Sequence, residues 1–137
     1  DETHVWDART GICVFKIPTH GMYRALWLDD SRVVLDTTVG GAVALVDVGD
    51  GATQVFQIHG DKLFSDLALV ANGAGPRLLT SSNDGTLRLH DMANDVSDYV
   101  FYNHRANDYG CVASQRNGTL IIAETTTAGI FVLDRAA

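Results

Sequence analysis

Between Ser81 and Asp91 the chain reads SSNDGTLRLHD, which sets Ser81, Ser82, Asp84 and His90 within ten positions. These are the residue types of a nucleophile, a carboxylate and a general base. The stretch reads as a strand, and side chains alternate along a strand, so the spacing predicts a hydrogen-bond network across a hairpin rather than a converging triad. The other histidines are His4, His20, His59 and His104. No HExxH or HxxxH pair offers zinc two ligands on one helix face. Asp29-Asp30 and Asp47 with Asp50 stand at turns, and calcium would need more converging oxygens. Neither a Gly-x-Ser-x-Gly elbow nor a phosphate-cradling glycine loop is present. The expectation is no catalytic residue, no metal and no cofactor.

The bulk numbers narrow the class. A chain of 137 residues with 46% hydrophobic and 20% charged content has the composition of one globular domain. Its 17 acidic and 10 basic residues give a net charge of −7, which repels phosphate backbones, so no nucleic-acid partner is expected. No apolar run approaches the roughly 18 residues of a spanning helix, and no membrane partner is expected. Cys13 and Cys111 each fall in an apparent strand, which makes neither a disulfide framework nor a metal spacing. Two reduced thiols suit a cytoplasmic or nuclear protein.

The elements that hold these residues repeat. The windows VLDTTVGGAVALVD (34–47), LLTSSNDGTLRLHD (78–91) and IIAETTTAGIFVLD (121–134) align without a gap. Each runs from two aliphatics through small or hydroxyl residues and a turn to an apolar strand and a closing aspartate: Asp47, Asp91 and Asp134. A fourth ending, HVWD, closes on Asp7 after Trp6. A spacing near 40 residues is that of a four-stranded propeller blade. His20, His59 and His104 keep step with the period, each just before a new apolar segment, which assigns them to structural loops. Turn chemistry such as NDG and RNG separates thirteen expected strands, and no segment keeps a 3.6-residue period. The fold expected is all-β, built of four-stranded antiparallel blades. Residues 1–17 end one blade, 22–58 and 65–102 form two blades, and 110–134 form an incomplete one.

These residues resemble the WD-repeat family. HVWDARTG carries its Trp-Asp pair and Thr-Gly turn, SSNDGTLRLHD its Ser-x-x-Asp-Gly strand ending, and His20-Gly21 and His59-Gly60 its loop pair. The resemblance implies a buried relay of a loop histidine, a strand hydroxyl, a turn aspartate and a tryptophan. Here it implies His59, Thr80 or Ser82, and Asp84, with His90 in the tryptophan place. Val46 and Leu133 stand there in the other periods, and Gly40 and Thr127 replace the aspartate. The repeats are divergent.

About three blades do not close a ring. The chain is expected to be part of a longer propeller, or to complete one with further copies of itself. The start at Asp1 rather than Met and one strand too many favour the first. The function expected is a non-enzymatic scaffold or adaptor that binds other proteins or peptides through rim loops. Tyr23, Arg24, Lys62, Phe64, Arg105 and Tyr109 are the candidate contacts, being aromatic or basic residues in or beside those loops. The alternative is a propeller enzyme or small-ligand binder with a site at the central channel. A lesser alternative follows from WDAR (6–9), which resembles the signature of substrate receptors of cullin-type ubiquitin ligases.

Overall fold

The structure, a computed structural model, describes residues 2–18, 24–37, 40–72, 75–102, 109–114, 120–125 and 129–134. Among these residues thirteen strands and no helix occur. They are β1 Glu2–Trp6, β2 Cys13–Pro18, β3 Ala25–Trp27, β4 Arg32–Asp36, β5 Ala42–Asp47, β6 Thr53–Gln57 and β7 Phe64–Asn72. They continue with β8 Gly75–Ser82, β9 Thr86–Asp91, β10 Val96–Tyr102, β11 Tyr109–Ser114, β12 Leu120–Thr125 and β13 Gly129–Asp134. Each pairs antiparallel with its chain neighbour to give sheets β1-β2, β3-β4-β5-β6, β7-β8-β9-β10 and β11-β12-β13. β11 packs on β7 and β8, and β3 reaches β7. The first strands of successive sheets are therefore neighbours at the inner side of the arc, and β6 and β10 lie outside.

Strand β2 shows why the pattern gives a half-covered sheet. Phe15 and Ile17 point inward and Val14 and Lys16 outward, the period-two alternation of a pleated strand. β5 is apolar on both sides, with Val43 fully buried on one face and Val46 on the other. Val46 joins Ile17, Val33 and Leu35 in a core against β1-β2. Val43 joins Val34, Phe56, Ile58, Leu67, Leu78 and Met92 in a core against the next sheet. A sheet sandwiched between two others needs apolar residues on both faces, and each such side chain contributes about 1.5–3 kcal/mol on burial.

The pairing corrects the gapless alignment of the windows. Asp36 pairs with Val43, seven positions on, whereas Ser81 pairs with Leu87, six positions on. The β4–β5 hairpin is thus one residue longer than β8–β9. Counted from the strands, Leu35 rather than Asp36 holds the place of Thr80. The β12–β13 hairpin pairs Glu124 with Ile130 and keeps the shorter spacing.

The closing aspartates tie the turns that follow them. Asp7 Oδ1 accepts the Arg9 amide at 2.8 Å, Asp47 Oδ1 the Gly49 amide at 2.7 Å and Asp91 Oδ1 the Ala93 amide at 2.9 Å. Four residues beyond each, the chain takes a left-handed step, at Gly11 (φ 68°), Gly51 (φ 77°) and Asp95 (φ 54°). Asp95 bears strain there that glycine would not. It is compensated in part because its Oδ1 accepts His90 Nε2 at 3.1 Å. Asp95→Ala keeps the strain and loses that bond, whereas Asp95→Gly loses only the bond. The glycine variant should therefore be more stable than the alanine variant by about 1 kcal/mol in urea unfolding.

Candidate functional site

The β6–β7 loop, which begins at Ile58, carries His59 to the rim and folds it back beneath the β8–β9 turn. His59 Nδ1–H donates to Asp84 Oδ2 at 3.0 Å, and Thr80 Oγ1–H donates to His59 Nε2 at 2.7 Å. Asp84 Oδ1 accepts the Thr86 hydroxyl at 2.6 Å and the Thr86 amide at 2.8 Å. Arg88 Nε donates to Thr86 Oγ1 at 3.1 Å and closes the network. The carboxylate fixes the tautomer of the ring, since only Nδ1 can donate to it. Burial holds the His59 pKa below its ordinary 6.5, and the bond to Asp84 only partly opposes this. Burial pushes Asp84 upward, but the bonds from Thr86 and His59 outweigh it and keep its pKa below the ordinary carboxylate value.

Hydroxyl to Nε2, Nδ1 to carboxylate: the polarity is that of a catalytic triad. Access differs. Thr80 is 0% and His59 3% exposed, so no substrate carbonyl can reach the hydroxyl. What the network does is fasten a loop to a hairpin. Phe64 stacks edge-on against His59 with ring centroids 5.2 Å apart and packs into the core, so this candidate contact faces inward. Ser82 Oγ donates to the Leu63 carbonyl at 2.9 Å and accepts the Asp84 amide at 3.2 Å, which adds a second tie. Ser81 lies on the opposite face, fully buried, and its hydroxyl has no partner among the described residues. His90, the supposed base, bonds Ser97 at 3.2 Å and Asp95 instead, with Phe56 edge-on at 5.7 Å.

The preceding hairpin meets the same loop through glycine backbone. The Gly41 carbonyl accepts the amides of Ile58 at 2.8 Å and His59 at 3.0 Å. Gln57 Nε2 bonds the carbonyls of Gly40 and Gly60. Gly41 has φ 68°, and a Cβ there would lie 2.6 Å from the Gly60 carbonyl oxygen and 2.8 Å from the His59 carbonyl carbon. The glycines that stand in place of an Asp84 equivalent allow this close approach.

Of the remaining candidate contacts, Lys62 projects from the rim, 3.8 Å from Asp61. Arg24 Nε pairs with Asp66 at 3.1 Å, which ties the start of β3 to β7, and its amide donates to Asp36 Oδ1 at the end of β4 at 2.9 Å. Tyr23 and Arg105 lie outside the described residues, as do His20 and His104. Tyr109 opens β11, and its side chain also lies outside that set, as does that of Asp134 at the end of β13. Leu63, which sequence reasoning passed over, is 51% exposed between Lys62 and the inward Phe64. No periodicity in the sequence signalled it, because it lies in an irregular loop.

At the opposite rim Asp29 is held down to about 2 by the Arg32 side chain and the Ser31 amide. It is a turn cap, as its bonds to the Ser31 and Arg32 amides at 3.0 and 2.8 Å show. A hollow of about 250 Å³ lies between Arg32, Leu45, Asp47, Ala52, Thr53 and Gln54. Its arginine is engaged by Asp29 at 2.6 Å and its aspartate by the Gly49 amide. Among the described residues no cluster of His, Cys, Asp or Glu could hold a metal.

Four-stranded antiparallel sheets set inner strand to inner strand, a buried histidine–aspartate–hydroxyl lock and a closing aspartate after each third strand define an arc of a WD40-type β-propeller. A solved WD40 β-propeller domain, that of Doa1, is similar over 98% of this chain with a TM-score of 0.80 and 17% identity. The match spans 44% of that chain, so the present residues cover less than half its length. No protein-family model matches the sequence, and no curated protein does. Divergence at Gly40, Val46 and His90, where the repeat signature is most recognisable, fits the low identity.

Proposed function

We propose that this arc serves as a non-enzymatic scaffold that displays the β6–β7 rim to another protein or peptide. The observation that carries the reading is the sealing of the His59–Asp84–Thr80 network. The described group with the composition of a triad is buried and fully hydrogen-bonded, and its effect is to hold Lys62 and Leu63 outward. A leucine beside a lysine on a braced loop offers an apolar contact and an adjacent charge at low ordering cost. Cys13, a free thiol near the Phe15 carbonyl, fits a reducing compartment such as cytosol or nucleus.

The test pairs Leu63→Asp and Lys62→Glu with Asp95→Gly on the far rim as a control. The rim changes should weaken binding of a captured protein or peptide at least tenfold while leaving the urea midpoint within error. Equal loss from Asp95→Gly, or a catalytic turnover abolished by a folded Asp84→Asn variant, would overturn the scaffold reading.

A further inference from the structure

We infer that the outer edge of β6 is a docking site for an extended peptide segment of another protein, which adds as an antiparallel strand and carries lysine or arginine after its β-branched residues. The edge lies at the circumference of the arc, apart from Lys62 and Leu63, and the inference does not rest on the rim reading.

Parity fixes which backbone groups of β6 face outward. The Ala52 carbonyl accepts the Asp47 amide at 2.9 Å, and the Ile58 amide donates to the Gly41 carbonyl at 2.8 Å, both toward the β5 side. In an antiparallel strand the amide and carbonyl of one residue point to the same side, and the side alternates along the chain. Ala52, Gln54, Phe56 and Ile58 therefore face β5, while Thr53, Val55 and Gln57 turn their backbone groups to the outer edge. Among the described residues β6 pairs with β5 alone. Thr53, Val55 and Gln57 are exposed, Val55 at 60%, so the edge is open to solvent.

The other two outer strands are blunted and β6 is not. β2 carries Lys16 and ends on Pro18, and β10 carries Asp98 and a register shift between Ser97 and Tyr99. Charges, prolines and bulges are the devices that keep a sheet edge from pairing. From Ala52 to Ile58 the chain reads ATQVFQI, with no charge, glycine or proline. An uncharged edge of good strand formers is a template for one more strand.

Area and charge select the occupant. The five residues of β6 make an edge about 17 Å long. Two rigid arcs meeting along it would bury far less than the roughly 1,200 Å² of a stable association, and each copy would bring a net charge of −7. A flexible segment can instead extend past the strand and gain contacts at its ends. At the start of β6 stand Asp47 and Asp50, whose Oδ1 atoms cap the amides of Gly49 and Ala52. Beyond the other end Asp61 is offset by Lys62 at 3.8 Å. Negative charge thus gathers at the start of β6, where an antiparallel peptide brings its C-terminal end. Its basic residues belong there, and a β-branched residue belongs opposite Val55.

The probe is the fluorescein-labelled peptide TVTVTVKK, with TVTVTVEE as its charge-reversed control. Fluorescence anisotropy should show saturable binding of the first and at least tenfold weaker binding of the second, and Asp50→Lys should remove that preference. Val55→Pro deletes an amide that the pairing with β5 does not use, so the blade should stay folded while binding falls at least tenfold. If that variant does not fold, Val55→Lys at the same exposed position should give the same loss. In native-state hydrogen exchange TVTVTVKK should slow the Val55 amide at least tenfold and leave that of Phe56 unchanged. Leu63→Asp should leave peptide binding unaltered, and a loss there would place the peptide at the rim and overturn the inference. No saturation by TVTVTVKK, or binding indifferent to change at Val55, would overturn it too. So would a solution mass that doubles with chain concentration and reverts in the Val55 variant, since a second copy would then hold the edge.

Discussion

Alanine at Gly41 is expected to destabilise the chain by about 3 kcal/mol, roughly 2 kcal/mol more than alanine at Gly11. Both glycines have φ 68°, so both substitutions bear the left-handed penalty of about 1–2 kcal/mol. They differ in surroundings. A Cβ at Gly11 meets nothing within 4 Å, whereas at Gly41 it meets the Gly60 oxygen at 2.6 Å, the His59 carbonyl carbon at 2.8 Å and the Lys62 oxygen at 2.9 Å. All three atoms are backbone of a loop pinned by its own bonds to Gly41 and cannot yield cheaply. Urea unfolding of the two variants and the wild type separates strain from collision. Equal losses would mean that the hairpin does not sit on the loop as described.

Removal of the Asp84 carboxylate is the second large effect. Asp84→Ala takes the carboxylate from the buried Nδ1–H of His59, which keeps only Thr86 Oγ1 at 3.1 Å, and strands the hydroxyl and the amide donors of Thr86. Stranding buried donors costs about 1–3 kcal/mol each, so a loss of about 3 kcal/mol is expected after partial relaxation. The same network makes stability depend on pH. The folded pKa of His59 is lowered, so the unfolded chain binds its proton more readily as the pH falls. The contribution is therefore present above the unfolded value of 6.5 and is lost as the pH falls from there toward the folded value, at up to about 1.4 kcal/mol per pH unit. Asp84, also lowered, adds a loss only below its unfolded 3.8. In His59→Gln the slope between pH 6.5 and the folded value should be absent, and chemical denaturation across that range checks it.

The fold class was legible because a propeller writes its period into residues that cannot vary freely. Asp47 and Asp91 must cap turns, Gly41 and Gly85 must take positive φ, and strands such as AVALV must be apolar on both faces. Length was less legible. One residue added to the β4–β5 hairpin leaves the turn glycines aligned and shifts Asp36 away from the Thr80 place, which only strand pairing reveals. Of the relay, His59 and Asp84 were implied by the WD-repeat resemblance, but the choice of Thr80 over Ser82 depends on which face of β8 meets the loop. Thr86 and Arg88 joined it unannounced, because a strand side chain two positions from a turn carries no signal of its own. The inward Phe64 and outward Leu63 show the same limit, since an irregular loop has no period from which orientation can be counted.

The claim on which the scaffold reading rests is that the rim loop is clamped as firmly as the strands beneath it. Native-state amide hydrogen exchange measures this directly at Ile58 and His59, whose amides both donate to the Gly41 carbonyl. The account predicts exchange as slow as that of Leu79 and Leu89 in the core of the sheet, governed by global unfolding and quickened in Asp84→Ala. Exchange orders of magnitude faster than the core, with no response to Asp84→Ala, would contradict it and leave the rim an ordinary flexible loop.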